Sequence, residues 1–189
     1  MIRRQAAKGH EPPFPPTPIA MKTPLIRPEM PADVAALAAV TEAAFLDAPH
    51  TDHNEQFILA GLREAGALTI ALVDEVDGII VGHVALSPVS LSDRTPAWFG
   101  PGPLSVVPRW QGRGIGSALI KEALERLSAR GASGCVVLGD PAYYRRFGFA
   151  NDAGLVLHDV PPEYFMALSF RPPAPRGTVA YHAAFGATR

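Results

Sequence analysis

Apolar residues recur along this chain at two periods, and the switches between them mark its elements. Leu25-Ile26-Arg27 is a short strand stopped by Pro28. After it, Val34, Leu37, Ala38, Thr41 and Phe45 fall at helical spacing behind Pro31 and Asp33, which predicts a helix over Ala32–Phe45. Phe57, Ile58 and Leu62 repeat that spacing over Glu55–Glu64, after a loop and N-cap region at Thr51-Asp52-His53-Asn54. The pattern then shortens. Thr69–Val73 and Ile79–Val89 read as strands around a turn at Asp77-Gly78, a hairpin signature. A loop with Asp93, Pro96 and Gly100 leads to a strand near Pro103–Val107.

The strongest helix follows. From Gly114 to Ala129, Ile115, Leu119, Ile120, Ala123, Leu124 and Leu127 make one broad apolar face, with Gly131 placed to end it. Cys135–Leu138 is a short buried strand, and a compact helix over Ala142–Phe147 ends at Gly148. Strands near Gly154–His158, Met166–Phe170 and Thr178–His182 close the chain, separated by proline-rich turns. No repeat is visible. The order implies an α/β fold, a mixed sheet flanked by helices.

Composition narrows the class. The 189 residues suffice for one core without staples. Seventeen basic residues against 18 acidic ones supply no field for a phosphate backbone, which disfavours nucleic-acid binding. The single cysteine, Cys135, excludes an intrachain disulfide or a cysteine-clustered zinc site. In a strand of branched residues, it reads as a small buried hydrophobe rather than a nucleophile. No metal site is expected. With no apolar run long enough to span a membrane, the expectation is a cytoplasmic protein.

Seventeen glycines and 20 prolines make about a fifth of the chain, against about 12% in typical proteins. Eight prolines precede residue 32, five of them in Pro12–Pro18, where helix interior and sheet ladder are both disfavoured. Residues 1–22 are therefore expected to form a flexible proline-rich tail, and residues 23–189 one domain. No apolar stretch follows the basic start, as a secretory signal would require. Met21 leaves an internal start as an alternative.

The sharpest chemical signal is Val106-Val107-Pro108-Arg109-Trp110-Gln111-Gly112-Arg113-Gly114-Ile115-Gly116-Ser117. A strand ends, glycines alternate, and the long helix begins. Glycines let backbone N–H groups converge on a ligand at the positive end of the helix, the physics of a phosphate or pyrophosphate site. The spacing is wrong for a P-loop, which needs Gly-Lys-Ser/Thr, and for the Gly-x-Gly-x-x-Gly dinucleotide fingerprint.

The string LSVVPRWQGRGIGSALIKEAL resembles the acetyl-coenzyme A signature of the GCN5-related N-acetyltransferases, Gln/Arg-x-x-Gly-x-Gly/Ala, through Gln111, Gly114 and Gly116. Downstream, VVLGDPAYYRRFGF resembles the same family through Tyr144, Gly148 and Phe149, and its form resembles a YhbS-like branch. The resemblance covers about Leu25 to Phe185. It implies the acyl-CoA N-acyltransferase fold, with strands splayed at the cofactor cleft, and acetyl transfer from acetyl-CoA to an amine of a small molecule or peptide.

Carried over residue by residue, it puts the pyrophosphate on the backbone of Gly112, Arg113, Gly114, Ile115, Gly116 and Ser117, beside Gln111. The pantetheine arm would lie along Leu104, Ser105 and Val106, and PGPLSV is consistent with a bulged strand. Arg113 and Ser117 are alternatively a solvated loop arginine and a helix-start serine. Tyr144 matches the tyrosine that protonates the leaving thiolate, with core packing as the alternative. Tyr143, one helical step away, is not expected to face the same site. The family's strand glutamate is missing, since Ala97–Val107 holds no Asp or Glu. Glu55 is the leading candidate base, alternatively a helix-start residue, and His50, His53 and His83 stand behind it. Asp140 before Pro141 reads as an N-cap, or less readily as an amine contact. Tyr181 and His182 resemble late-strand features of that branch and keep an open role. The missing acid leaves a non-catalytic acyl-CoA-binding or regulatory module as the alternative. A homodimer is compatible with the family, though no distinctive patch supports it.

Overall fold

The computed structural model describes residues 24–47, 53–152 and 154–186. The expected tail over residues 1–22 and the candidate base His50 lie outside the described residues.

A sheet with strand order β1-β2-β3-β4-β5-β7 organises the molecule. Its strands are β1 (Leu25–Pro28), β2 (Ile70–Val76), β3 (Ile79–Leu91), β4 (Trp98–Val106), β5 (Gly134–Leu138) and β7 (Phe165–Ser169). Two short strands extend it: β6 (Leu155–Val156) pairs with β8 (Gly177–Ala180), and β8 pairs with the far end of β3. Every neighbour along the main path is antiparallel except β4 and β5. The β2–β3 hairpin turns through Asp77 and Gly78, both at positive φ, as a two-residue primed turn requires.

Alternation sends successive strand residues to opposite faces. Leu72, Val84 and Leu86 meet Leu119, Ala123 and Leu127 of α3 (Ile115–Ala129) on one face. Val73 and Ala85 meet Leu37 of α1 (Val34–Phe45) and Leu59 of α2 (Glu55–Glu64) on the other. The helix expected over Ala32–Phe45 begins as a 3₁₀ turn at Pro31–Asp33 and becomes α-helical at Val34. The compact helix also divides, into α4 (Pro141–Tyr144) and a 3₁₀ turn over Arg145–Phe147.

The main correction is β4. It starts at Trp98, not near Pro103, and takes in Gly100, where the sequence predicts loop, together with Pro101. Proline is tolerated here because β5 pairs with β4 only at Trp98↔Gly134 and Phe99↔Cys135, so Pro101 and Pro103 face no β5 ladder. The register with β3 shifts between Val84↔Leu104 and Leu86↔Pro101, which leaves an extra residue at Gly102-Pro103. This is the expected bulge. Past Phe99 the two parallel strands separate, and that gap positions the site.

Candidate functional site

Two cavities meet in the gap. The first, about 620 Å³, lies between β4 and the start of α3 and is lined by Leu104, Val106, Gln111, Gly112, Gly114, Ile115, Gly116 and Ser117. The second, about 670 Å³, opens between Pro101–Leu104 of β4 and Leu138 and Asp140 at the end of β5. Phe45, Leu104 and Tyr143 line both, so the cavities are neighbours along one cleft.

The loop is built as its sequence implies. Gly112 and Gly114 have φ of 71° and 87°, a region that other residues enter with strain, and nothing lies within 4 Å of where their Cβ atoms would be. Gly114 is the N-cap of α3, and its carbonyl accepts the first helical bond, from Ala118 N–H at 2.9 Å. The N–H groups of Ile115, Gly116 and Ser117 therefore precede the intrahelical ladder at the positive end of a 15-residue helix. Gln111 fixes the loop to the strand by donating from Nε2 to the Val106 carbonyl at 3.0 Å. An open glycine backbone, helix-start donors and an adjoining apolar strand fit a ligand with a pyrophosphate and a long arm.

Of the ten expected cofactor residues, Ser105 and Arg113 turn their side chains away from the cleft, which leaves their backbone groups as the part offered to the ligand. The Ser105 side chain is buried on the α1 face, where its hydroxyl donates to Thr41 Oγ1 at 3.2 Å. The Arg113 guanidinium stacks 5.0 Å from the Trp110 ring instead of lining the cavity. Arg146 was missed. It lines the phosphate-side cavity, held by Nε donation to the Tyr143 carbonyl at 2.8 Å and by stacking 4.5 Å from the Tyr143 ring. The Arg145-Arg146 pair signalled charge near the site, but nothing in the pattern told which residue turns inward.

Tyr144 and Glu55 meet in the second cavity. Tyr143 lines it as well, which corrects the expectation that only one of the two tyrosines could face the site. The helix is one turn long and the two rings pack edge to face at 5.0 Å, so both reach the cleft from its end. Asp140 is the N-cap, accepting from Ala142 N–H at 2.9 Å, and it also lines this cavity. Burial pushes the Tyr144 phenol well above its ordinary pKa, with a further contribution from Tyr143. Tyr181 and Phe185 close the cavity from the C-terminal side, their rings 4.8 Å apart.

The histidines do not join this group. His83 is fully buried on β3, and its Nε2 lies 3.0 Å from Glu29 Oε2, whose other oxygen accepts from Arg63. His53 lines a separate small hollow with Glu42 and Gln56. His182 accepts from Ala184 N–H at 3.1 Å, a local turn contact. Cys135 is buried, and burial pushes its thiol upward, away from nucleophilic thiolate. Among the described residues no cluster of three metal-ligating side chains occurs, and no helix is long and apolar enough to cross a membrane.

Residues 67–151 match the family model described as an acetyltransferase (GNAT) domain. The chain is 38% identical over 126 residues to the uncharacterized N-acetyltransferase YhbS of Escherichia coli K12, covering 66% of this chain and 72% of that protein. Among solved structures, it is similar to a GNAT family acetyltransferase from Brucella melitensis in complex with acetyl-CoA. That likeness has 47% identity and a TM-score of 0.77, over 86% of this chain and 98% of that one. It is also similar to Escherichia coli YhbS in complex with CoA, at 32% identity and a TM-score of 0.81, over 90% and 96%.

Proposed function

This chain belongs to the GNAT family of N-acetyltransferases, and from that premise we propose where its two substrates bind and which side chains move protons. It is an acetyl-CoA-dependent N-acetyltransferase of the acyl-CoA N-acyltransferase fold. We assign catalysis to residues 23–189 and the reaction to the cytoplasm, where its single cysteine stays reduced. Acetyl-CoA enters along the first cavity. Its pyrophosphate rests on the backbone of residues 112–117, Arg146 contacts its phosphates, and its arm runs beside Leu104 and Val106 into the gap between β4 and β5. The free backbone of the bulge at Gly102-Pro103 suits the amides of that arm.

The acceptor amine occupies the second cavity. It attacks the thioester carbonyl directly, within a complex that holds both substrates. Glu55 takes a proton from the incoming ammonium and so frees the nitrogen lone pair. Carbon–nitrogen bond formation is followed by cleavage of the carbon–sulfur bond. Tyr144 donates its proton to the departing thiolate and is re-protonated, through water, by the surplus proton left on nitrogen, while Glu55 releases the proton it took to solvent. The net change converts an ammonium and acetyl-CoA into an N-acetyl amide, CoA thiol and one released proton.

The observation that carries this reading is the meeting of Glu55 and Tyr144 in the cavity that adjoins the glycine-lined cleft. Glu55 comes from α2 and so supplies the carboxylate that β4 lacks. Calorimetric titration should show acetyl-CoA binding equally to the wild type and to Glu55→Gln, while transfer falls by about a hundredfold in the variant. Equal turnover would remove Glu55 from the base role. Binding without transfer to any amine in the wild type would leave an acyl-CoA-binding module.

A further inference from the structure

The second cavity is chemically lopsided. Its walls are Ile58, Leu138, Leu157, Tyr181 and Phe185, with the prolines of β4 along one edge. Its carboxylates, Glu55 and Asp140, stand against no lysine, arginine or histidine in the lining, among the described residues. Among the described lining residues, the basic group of the cleft is Arg146, and it lines the cofactor-side cavity and not the second one. Charge is thus sorted along the cleft: positive where phosphates belong, negative and apolar where the acceptor belongs.

Resting on the function proposed above, we propose that the acceptor is a small organic cation, a primary ammonium carried on an apolar body of aromatic or branched aliphatic size. The ammonium sits between Glu55 and Asp140, beside the tyrosines. The apolar body lies against Leu157, Tyr181 and Phe185. A volume of about 670 Å³ is in the range of small-ligand sites. An acidic or phosphorylated amine would bring an anion beside two carboxylates, with no cation among the described lining residues to pair it. A polyamine would bury its second ammonium against apolar walls, at a large desolvation cost. A lysine side chain within a peptide would need partners for its backbone, and these walls are mainly apolar side chains.

The C-terminal segment holds this apolar wall in place. Phe185 stands in a turn over Ala183–Gly186 that docks on α2, where Ala184 faces Gly61 so closely that a Cβ there would lie 3.1 Å from it. The apolar wall is therefore tied to the helix that carries Glu55.

The test compares 2-phenylethylamine and isoamylamine with spermidine, a lysine-containing peptide and glucosamine 6-phosphate at saturating acetyl-CoA. Transfer is read as kcat/KM. Binding of each amine to the CoA-loaded protein is read in parallel by calorimetry, so slow turnover does not hide the preference. The two apolar amines should exceed each of the others at least tenfold in both readouts. In Phe185→Ala, and separately in Leu157→Ala, KM for 2-phenylethylamine should rise about tenfold, with KM for acetyl-CoA within twofold of the wild type. Tighter binding or faster transfer with spermidine, the peptide or the phosphorylated amine would overturn the proposal and leave the acetyltransferase reading intact. So would an unchanged KM for 2-phenylethylamine in both variants. Failure of acetyl-CoA itself to bind would overturn both.

Discussion

Tyr144 is built to keep its proton. Its ring packs edge to face on Phe149 and Phe147, and burial penalises the phenolate before any neighbour does. A phenol raised in this way stays protonated through the neutral and mildly alkaline range, as a general acid must. Turnover should show no alkaline loss from Tyr144 between about pH 7 and pH 9.5, well below even the ordinary tyrosine value. Tyr144→Phe keeps the packing and removes the proton, so kcat should fall about a hundredfold with KM for acetyl-CoA within twofold. A kcat within threefold of the wild type would assign Tyr144 to packing alone. His83 shows the contrasting case, since its contact with Glu29 ties β3 to the chain after β1 and, through Arg63, to α2. A mid-chain histidine near a missing base is a reasonable chemical suspect, yet geometry gives it a structural role.

At the scale of elements, the site is the product of one strand failing to pair. Beyond Phe99, β4 bulges toward β3's register and leaves β5, and the glycine loop delivers the start of α3 to the opening. Gly116 lies where the helix start meets the cleft wall. A Cβ there would lie 2.9 Å from the Tyr143 hydroxyl and close to Val106 and Leu104. Gly116→Val should raise the dissociation constant for acetyl-CoA by tenfold or more while leaving the melting temperature within a few degrees, which parallel calorimetric and thermal scans would read. Unchanged affinity would place the cofactor elsewhere.

The loop and α3 were legible in the sequence because glycine spacing and a 3.6-residue apolar period are local signals. Trp98-Phe99-Gly100-Pro101 was not, because what makes proline acceptable there is the absence of a β5 partner, a nonlocal fact. The same limit hid Arg146 and the shared facing of Tyr143 and Tyr144. Which way a side chain turns at the end of a one-turn helix depends on what packs against that turn, and the local pattern does not encode it.

Across the whole molecule, charge supports the scaffold from the face opposite α3 and from β1. Arg27 donates to Asp33 at 2.6 Å and to Glu75 at 2.9 Å, and its bonds hold the Asp33 carboxyl below the ordinary range. Burial raises Glu29, but bonds from His83 and Arg63 outweigh it and lower that carboxyl overall. Both groups stabilise the fold above the usual carboxyl pKa, and that contribution is lost as the pH falls through their lowered native values. Asp74 has the opposite sign. It is 1% exposed, its Oδ1 has no hydrogen-bond partner, and burial raises its pKa. Its penalty is absent in acid and grows as the pH rises through the ordinary carboxyl range toward its raised native value. Asp74→Asn should therefore raise the melting temperature at pH 7, with the gain vanishing below about pH 3.5. A lower melting temperature at pH 7 would show that the buried carboxylate is stabilising.

In the proposed mechanism these parts hold two substrates on either side of one gap, with Glu55 as base and Tyr144 as acid at the reacting atoms. The most direct test is the stoichiometry of a reaction mixture containing the full chain, acetyl-CoA and 2-phenylethylamine, with thiol and N-acetylated amine quantified together, the latter by mass. Direct transfer gives one acetylated amine for each thiol released, and neither product accumulates when either substrate is left out. Thiol released with free acetate and no acetylated amine would contradict transfer between the two cavities.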